Sequence, residues 1–134
     1  MGRVLALDHG TVRIGVAVSD AAGIVAHPRG HIDAGGAVLE RVRDLITELE
    51  IERIVVGLPV SLDGSEGPPA VAARAFAAEV AEFTGIPTEL VDERFTTAIA
   101  ERALIETGTR RERRRRLRDG VAAAVMLQDW LESR

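Results

Sequence analysis

Val4-Leu5-Ala6-Leu7-Asp8-His9-Gly10-Thr11-Val12-Arg13-Ile14-Gly15-Val16-Ala17-Val18 is two apolar runs joined by a short polar link. Val4 to Leu7 is too brief for a helix and shows no polar alternation, so it predicts a buried central strand that stops at Asp8. Ile14 to Val18 predicts a second strand. The link between them contains Gly10 and is short enough for a hairpin, which makes the pair antiparallel.

Working outward, Ile24 to Ile32 predicts a weaker third strand, with Pro28 marking an edge or a bulge. Residues 37–50 carry Val38, Leu39, Val42, Leu45, Ile46 and Leu49 at helical spacing. Ile54 to Leu58 is a fourth strand, stopped by Pro59, and residues 59–68 form a Gly/Pro/Ser-rich loop. An Ala-rich helix over 70–84 ends at Gly85 and Pro87. Thr88 to Val91 is a fifth strand leading into Asp92-Glu93-Arg94. Thr96 or Thr97 can cap a helix to about Thr107, with Gly108 as its stop, and Leu117 to Leu131 forms a last helix. No repeat or linker divides the chain, so residues 1–134 are expected as a single α/β domain with a mixed sheet.

Composition narrows the chemistry. The 134 residues are 46% apolar and 28% charged, as in soluble globular domains, and no apolar run approaches the roughly 18 residues of a membrane span. Met1-Gly2-Arg3 does not open a signal peptide, and without Cys there are no disulfides or thiolate sites, so a cytoplasmic location is expected. All 17 basic residues are Arg, and Tyr is absent. Schiff bases, the phosphate-loop lysine and the kinase lysine are thereby excluded, as is a phosphotyrosine intermediate. Carboxylates, hydroxyls, His and Arg remain.

The net charge of −4 conceals an asymmetry. Residues 110–119 hold seven Arg and two acids, a local +5, which leaves −9 on the rest. Such a dense basic segment on an acidic body predicts one localised polyanion contact through Arg110, Arg111, Arg113, Arg114, Arg115, Arg116 and Arg118. A solvated helix end is the bland alternative. Four aromatic residues in the whole chain offer little stacking surface, which favours recognition through backbone charge and shape.

Three acids fall where ligands gather in α/β sheets, at the carboxyl ends of strands. Asp8 ends the first strand, Glu93 follows the fifth, and Asp119 is placed in the first turn of the last helix. Carboxylates from separate elements, converging without His or Cys, suit hard ions such as Mg²⁺ or Mn²⁺. Two such ions can activate water and stabilise the leaving oxygen of a phosphodiester. Each acid has a plainer reading as a cap or surface charge.

At this point the motifs resemble a known family. Asp8-His9-Gly10-Thr11 with Arg13 to Asp20 is similar to the opening of the YqgF/RuvX proteins. Val56-Gly57-Leu58-Pro59 with Asp63-Gly64-Ser65-Glu66-Gly67 matches further along, as does Asp92-Glu93-Arg94-Phe95-Thr96-Thr97. The last block is Asp119 before Ala122-Ala123 and Leu127-Gln128. The resemblance implies an RNase H-like fold: a five-stranded mixed sheet whose first three strands form an antiparallel meander, with helices on both faces. It also implies nuclease activity, either Holliday-junction resolution or processing of precursor 16S rRNA, with Asp8, Glu93 and Asp119 as catalytic, metal-binding acids. One departure from the related resolvase RuvC matters. No acid ends the fourth strand, where Gly57-Leu58-Pro59 stands instead, so Glu93 must supply the second ligand. Asp92 competes for that role. Neighbouring strand residues face opposite ways, so only one of the two can point at the site while the strand continues, and Glu93 is preferred.

Around the acids, Thr11 can offer a hydroxyl to a phosphate, and Gly10 either a backbone N–H or simply the turn. Arg13 and Arg94 can clamp phosphates or partner the carboxylates. His9 is a ligand, a proton shuttle or neither, and Asp63-Gly64 is a turn within a loop long enough to form a lid. Met126 and Trp130 share a helical face and belong to the core. A junction has two-fold symmetry, so paired cuts would require a homodimer, whereas an rRNA precursor imposes no such need. Two other functions compete with the nuclease: a non-catalytic nucleic-acid-binding module, and a phosphate-binding relative of the actin and sugar-kinase superfamily. The kinase-like proteins close two such domains around ATP, and this chain has the length of one.

Overall fold

The computed structural model describes residues 2–93 and 120–134. The predicted helix over 96–107 therefore lies outside the described residues, as do Arg94, the Arg110–Arg118 segment and Asp119. Strands β1 (Arg3–His9), β2 (Arg13–Ser19) and β3 (Ala26–Asp33) are followed by α1 (Val38–Leu49), β4 (Ile51–Leu58), α2 (Pro68–Thr84), β5 (Thr88–Asp92) and α3 (Val121–Glu132). One sheet holds all five strands in the order β3-β2-β1-β4-β5. β1 and β2 pair antiparallel, as do β2 and β3, while β4 runs parallel to both β1 and β5. This is the mixed sheet with an opening meander that the sequence predicts.

β1 is central, and Val4, Leu5, Ala6 and Leu7 are all buried. Alternation along the strands sorts the core into two layers. Leu5, Leu7, Ile14, Val16, Val18, Ile54 and Val56 face α1 and α2. Val4, Ala6, Ala17 and Val55 face α3, against Ala123, Met126, Leu127 and Trp130. The second set of strand residues is smaller, so α3 seats close to the sheet. α1 presents all six of its periodic apolar residues to the first layer, with Val42 fully buried. Among the described residues no helix is long and apolar enough to cross a membrane.

Several boundaries differ from the sequence expectation: β1 runs on through Asp8 to His9, β4 begins at Ile51 rather than Ile54, and two further shifts have a visible cause. The third strand begins at Ala26 rather than Ile24 because Asp20 Oδ1 accepts the N–H groups of Ile24 (2.7 Å) and Val25 (3.2 Å), which turns the chain before it can pair. Pro28 does sit on the sheet edge, opposite Ala17 and next to a register shift. The last helix begins at Val121, not Leu117, because its N-cap, Gly120, is left-handed at φ 77°. A side chain there would strike Val16 O and come within 2.7 Å of Gly30 O. Asp119 precedes that cap in sequence and lies outside the described residues.

Gln128 ties α3 to the edge of the sheet. Its Oε1 accepts Ala26 N–H at 2.8 Å and its Nε2 donates to Ile24 O at 2.9 Å, so one side chain stands in for a backbone partner. Ser19 plays a similar part on the other side, where its buried Oγ accepts Val4 N–H at 2.9 Å. Gln128→Ala removes one bond from partly buried backbone and one from exposed backbone and is expected to cost about 1 kcal/mol in urea unfolding. A cost near zero would mean that packing alone seats α3.

Candidate metal and phosphodiester site

The site lies at the carboxyl ends of β1, β4 and β5, beneath the start of α3. There a cleft of about 360 Å³ is lined by Asp8, His9, Gly10, Val12, Arg13 and Gly15, by Pro59, Pro69 and Glu93, and by Gly120, Ala122 and Ala123. Asp8 shares the face of Val4 and Ala6, so strand alternation turns it toward α3. The same rule separates Glu93 from Asp92. Glu89 accepts a hydrogen bond from Trp130 Nε1 of α3 (3.1 Å), and Val91 packs in the α3 layer. Glu93 N–H still donates to Leu58 O at 3.2 Å, so the strand pattern persists and Glu93 follows Glu89 and Val91 onto that face. Asp92 is exposed on the other side.

Glu93 is 1% exposed, the one buried charged side chain among the described residues. Its carboxylate stands over Gly57: a Cβ at 57 would lie 2.9 Å from Glu93 Cδ. Gly15 pairs with Asp8 across β1 and β2, where an added Cβ would be in ordinary contact with the Asp8 Cβ at 3.5 Å. A buried carboxylate is costly unless a cation, a proton or hydrogen bonds compensate it. Two carboxylates from separate strands on a floor of glycines form an oxygen-donor set that fits a hard divalent cation. The described residues contain no cluster of three acids or histidines that could hold a metal ion, and the third predicted acid, Asp119, lies outside them.

The remaining predicted residues divide. Arg13 lines the cleft, whereas Thr11 is exposed at the hairpin tip and takes no part in the lining. Gly10 serves the turn, because a Cβ there would come within 2.6 Å of Arg13 O. The His9 ring packs on Phe76 with centroids 4.8 Å apart. Burial holds the His9 pKa below its ordinary value, partly offset by Asp8 and Glu79. Asp63-Gly64 forms a compact turn in which Asp63 Oδ1 accepts Ser65 N–H and Oγ–H. Gly15, Gly57 and Pro59 lie in the motif blocks but were assigned no part in a cleft from sequence, and Gly120 and Pro69 were not identified at all. Their one signal was a glycine interrupting the β-branched run Ile54-Val55-Val56, a pattern that marks close approach by another group.

Comparison with solved structures identifies the architecture. Thermus thermophilus RuvC, in complex with a Holliday junction substrate, matches 99% of this chain and 96% of its own with a TM-score of 0.57 at 12% identity. A second Thermus thermophilus RuvC structure gives 0.57 at 14% identity, over 98% and 95%. At such identity the likeness shows the fold, which is RNase H-like, as the motifs implied. Sequence relatives add the activity class. A Myxococcus xanthus protein named "Putative pre-16S rRNA nuclease" is 44% identical over 98% of this chain and 88% of its own. A Roseiflexus protein of the same name is 42% identical over 98% and 95%. Fold and relatives together define an RNase H-like nuclease. The family model for RuvX, described as Holliday junction resolvase, matches residues 2–133, and the chain belongs to the RuvX family.

The loop that carries Pro59 toward Pro69 is tethered by a two-pronged pair, Arg74 Nε to Glu66 Oε1 (2.6 Å) and Arg74 Nη2 to Glu66 Oε2 (2.7 Å). The hydrogen bonds and charge of Arg74 hold the Glu66 pKa below its ordinary 4.5. A lowered carboxylate pKa contributes stability above the ordinary value, and that contribution is lost as pH falls through the lowered one. The stability difference between wild type and Arg74→Ala should therefore be constant at neutral pH and shrink as pH drops below 4.5. Unfolding curves from pH 7 to pH 3 check this, and a pH-independent difference would show that the pair is not the tether.

Proposed function

We propose that this chain is a divalent-metal-dependent endonuclease that hydrolyses phosphodiester bonds in structured nucleic acid. The observation that carries this reading is the pair Asp8 and Glu93, brought from two strands onto one face of one cleft. Asp8, Glu93 and Asp119 would hold Mg²⁺ or Mn²⁺, two ions at full occupancy. Such ions supply Lewis-acid activation of water and charge neutralisation at the departing oxygen.

The chain's own residues bind and orient the substrate. Asp8 sits on the central, most buried strand, so the sheet fixes its position in the cleft. Arg13 on the cleft rim is placed to contact a phosphate beside that bond. Arg94 and the segment Arg110–Arg118 would hold phosphates further along, with Thr11 at the hairpin tip as an outer contact. The prolines and glycines of the lining have no hydrogen-bonding side chains to read base edges, which agrees with recognition by backbone and shape.

Two substrates fit this chemistry, a four-way DNA junction and precursor 16S rRNA. The names of the relatives favour the RNA and the family description favours the junction. A junction substrate would require a homodimer to place two clefts on opposed strands. Either substrate agrees with action in the cytoplasm.

Side-by-side incubation with labelled junction and precursor RNA separates them, using Mn²⁺, Mg²⁺ or EDTA. Asp8→Asn and Glu93→Gln should each lower cleavage by about 100-fold or more while leaving nucleic-acid binding measurable. Cleavage that survives EDTA or Asp8→Asn would refute the metal-dependent reading. Binding without cleavage of either substrate would favour a non-catalytic module.

A further inference from the structure

We infer that Gly57 is a positioning residue for Glu93: the missing side chain at 57 is the seat in which the Glu93 carboxylate stands beside Asp8. The inference rests on the metal-site reading of the cleft and extends it to a residue with no functional group of its own. β4 lies between the strands that carry the two acids. Leu7 pairs with Val56 across β1 and β4, so Gly57 is the next position along, beside Asp8. Gly57 in turn pairs with Val91 across β4 and β5. Strands are about 4.8 Å apart, so β1 and β5 are separated by about 10 Å of sheet. A carboxylate rooted just beyond β5 approaches Asp8 only by crossing β4, and it can cross only where β4 carries no side chain.

Gly57 is that position. A Cβ built there would lie 2.8 Å from Met126 Sδ, 2.9 Å from Glu93 Cδ and 3.0 Å from Glu93 Oε1. The Met126 thioether is fully buried, as Glu93 is, so a Cβ at 57 presses on both, and the Glu93→Ala background separates the two contacts. The carboxyl group of Glu93 is buried and cannot move off Gly57 without withdrawing from the cleft. The same geometry explains the sequence departure at this strand end. The volume filled by the Glu93 carboxyl group is the volume a side chain at 57 would fill. An acid ending β4 and a glutamate following β5 are thus two ways of supplying one carboxylate, and Glu93 has the reach because its carboxyl carbon is two bonds beyond Cβ.

The experiment uses the full chain in four forms besides wild type: Gly57→Ala, Glu93→Ala, the combination of those two, and Gly57→Glu combined with Glu93→Ala. Thermal unfolding is read with and without millimolar Mn²⁺. Gly57→Ala should lower Tm by about 5 °C or more in the wild-type background and by much less when Glu93 is already Ala. If Gly57→Ala alone does not fold, folding of its combination with Glu93→Ala is itself the expected coupling. Mn²⁺ should raise the Tm of wild type, as a ligand of the native state must. That rise should vanish in Gly57→Ala and Glu93→Ala, and return when the acid is moved to position 57 in the Glu93→Ala background. Equal destabilisation by Gly57→Ala in both backgrounds would place the clash on Met126 and overturn the inference, as would an intact Mn²⁺ shift in Gly57→Ala. A wild type that shows no Mn²⁺ shift while the coupling persists would refute the metal reading, and Gly57's role in it, leaving a packing contact only.

Discussion

Side chains along a β-strand must point alternately to its two sides, and a central strand in a five-stranded sheet has both sides covered. For β1 this leaves no position free: Leu5 and Leu7 fill the layer under α1 and α2, and Val4 and Ala6 fill the layer under α3. Asp8 inherits the α3 side by parity. The same rule fixes Glu93, because Glu89 and Val91 already meet α3 from the neighbouring end of the sheet. A shift of one residue in either strand would turn its acid to the opposite face. The pairing register therefore holds the two carboxylates together, and the hydrophobic packing holds the register.

The α3 face differs from the other in size. Its strand positions include Ala6, Gly15, Ala17 and Gly57, where the opposite face carries Leu, Ile and Val. Small residues lower the buried apolar area, so they weaken that layer. In exchange they let the N-terminal end of α3 descend onto β2, with Gly120 against the backbone of Val16, and they leave room for a carboxylate to lie flat over β4. Gln128 and the Trp130–Glu89 hydrogen bond recover part of the difference by fixing α3 at its far end. The layer that hosts the polar site combines a buried apolar cluster with directional bonds, and the opposite layer has the larger side chains.

Much of this was legible in the sequence because the signals were local. Two short apolar runs flanking Gly10 predicted the hairpin, Pro28 predicted the edge, and the spacing from Val38 to Leu49 predicted a helix whose apolar face is the one observed to pack. Asp8 was legible for the same reason, as the acid that follows a buried apolar run, although the strand continues through it to His9. The start of β3 and the start of α3 were not. The start of α3 depends on groups distant in the chain, since the backbone of Val16 and Gly30 receives Gly120, and no local propensity encodes that contact. The start of β3 depends on the Asp20 carboxylate taking the N–H groups of Ile24 and Val25, a side-chain turn that apolar periodicity does not mark.

The sequence by itself determined the α/β class, the antiparallel pairing of the opening hairpin, and the exclusion of lysine, tyrosine and thiol chemistry, and it pointed to carboxylates as the candidate functional groups. These follow from composition and from periodicity over a few residues. Only the tertiary structure decided how Glu93, rather than Asp92, comes to share a face with Asp8, and why a glycine stands where an acid could have ended β4. Those outcomes rest on the parallel register of β1, β4 and β5, which joins residues about fifty and ninety positions apart, and on the steric fact that one carboxylate and one β-carbon cannot occupy the same place.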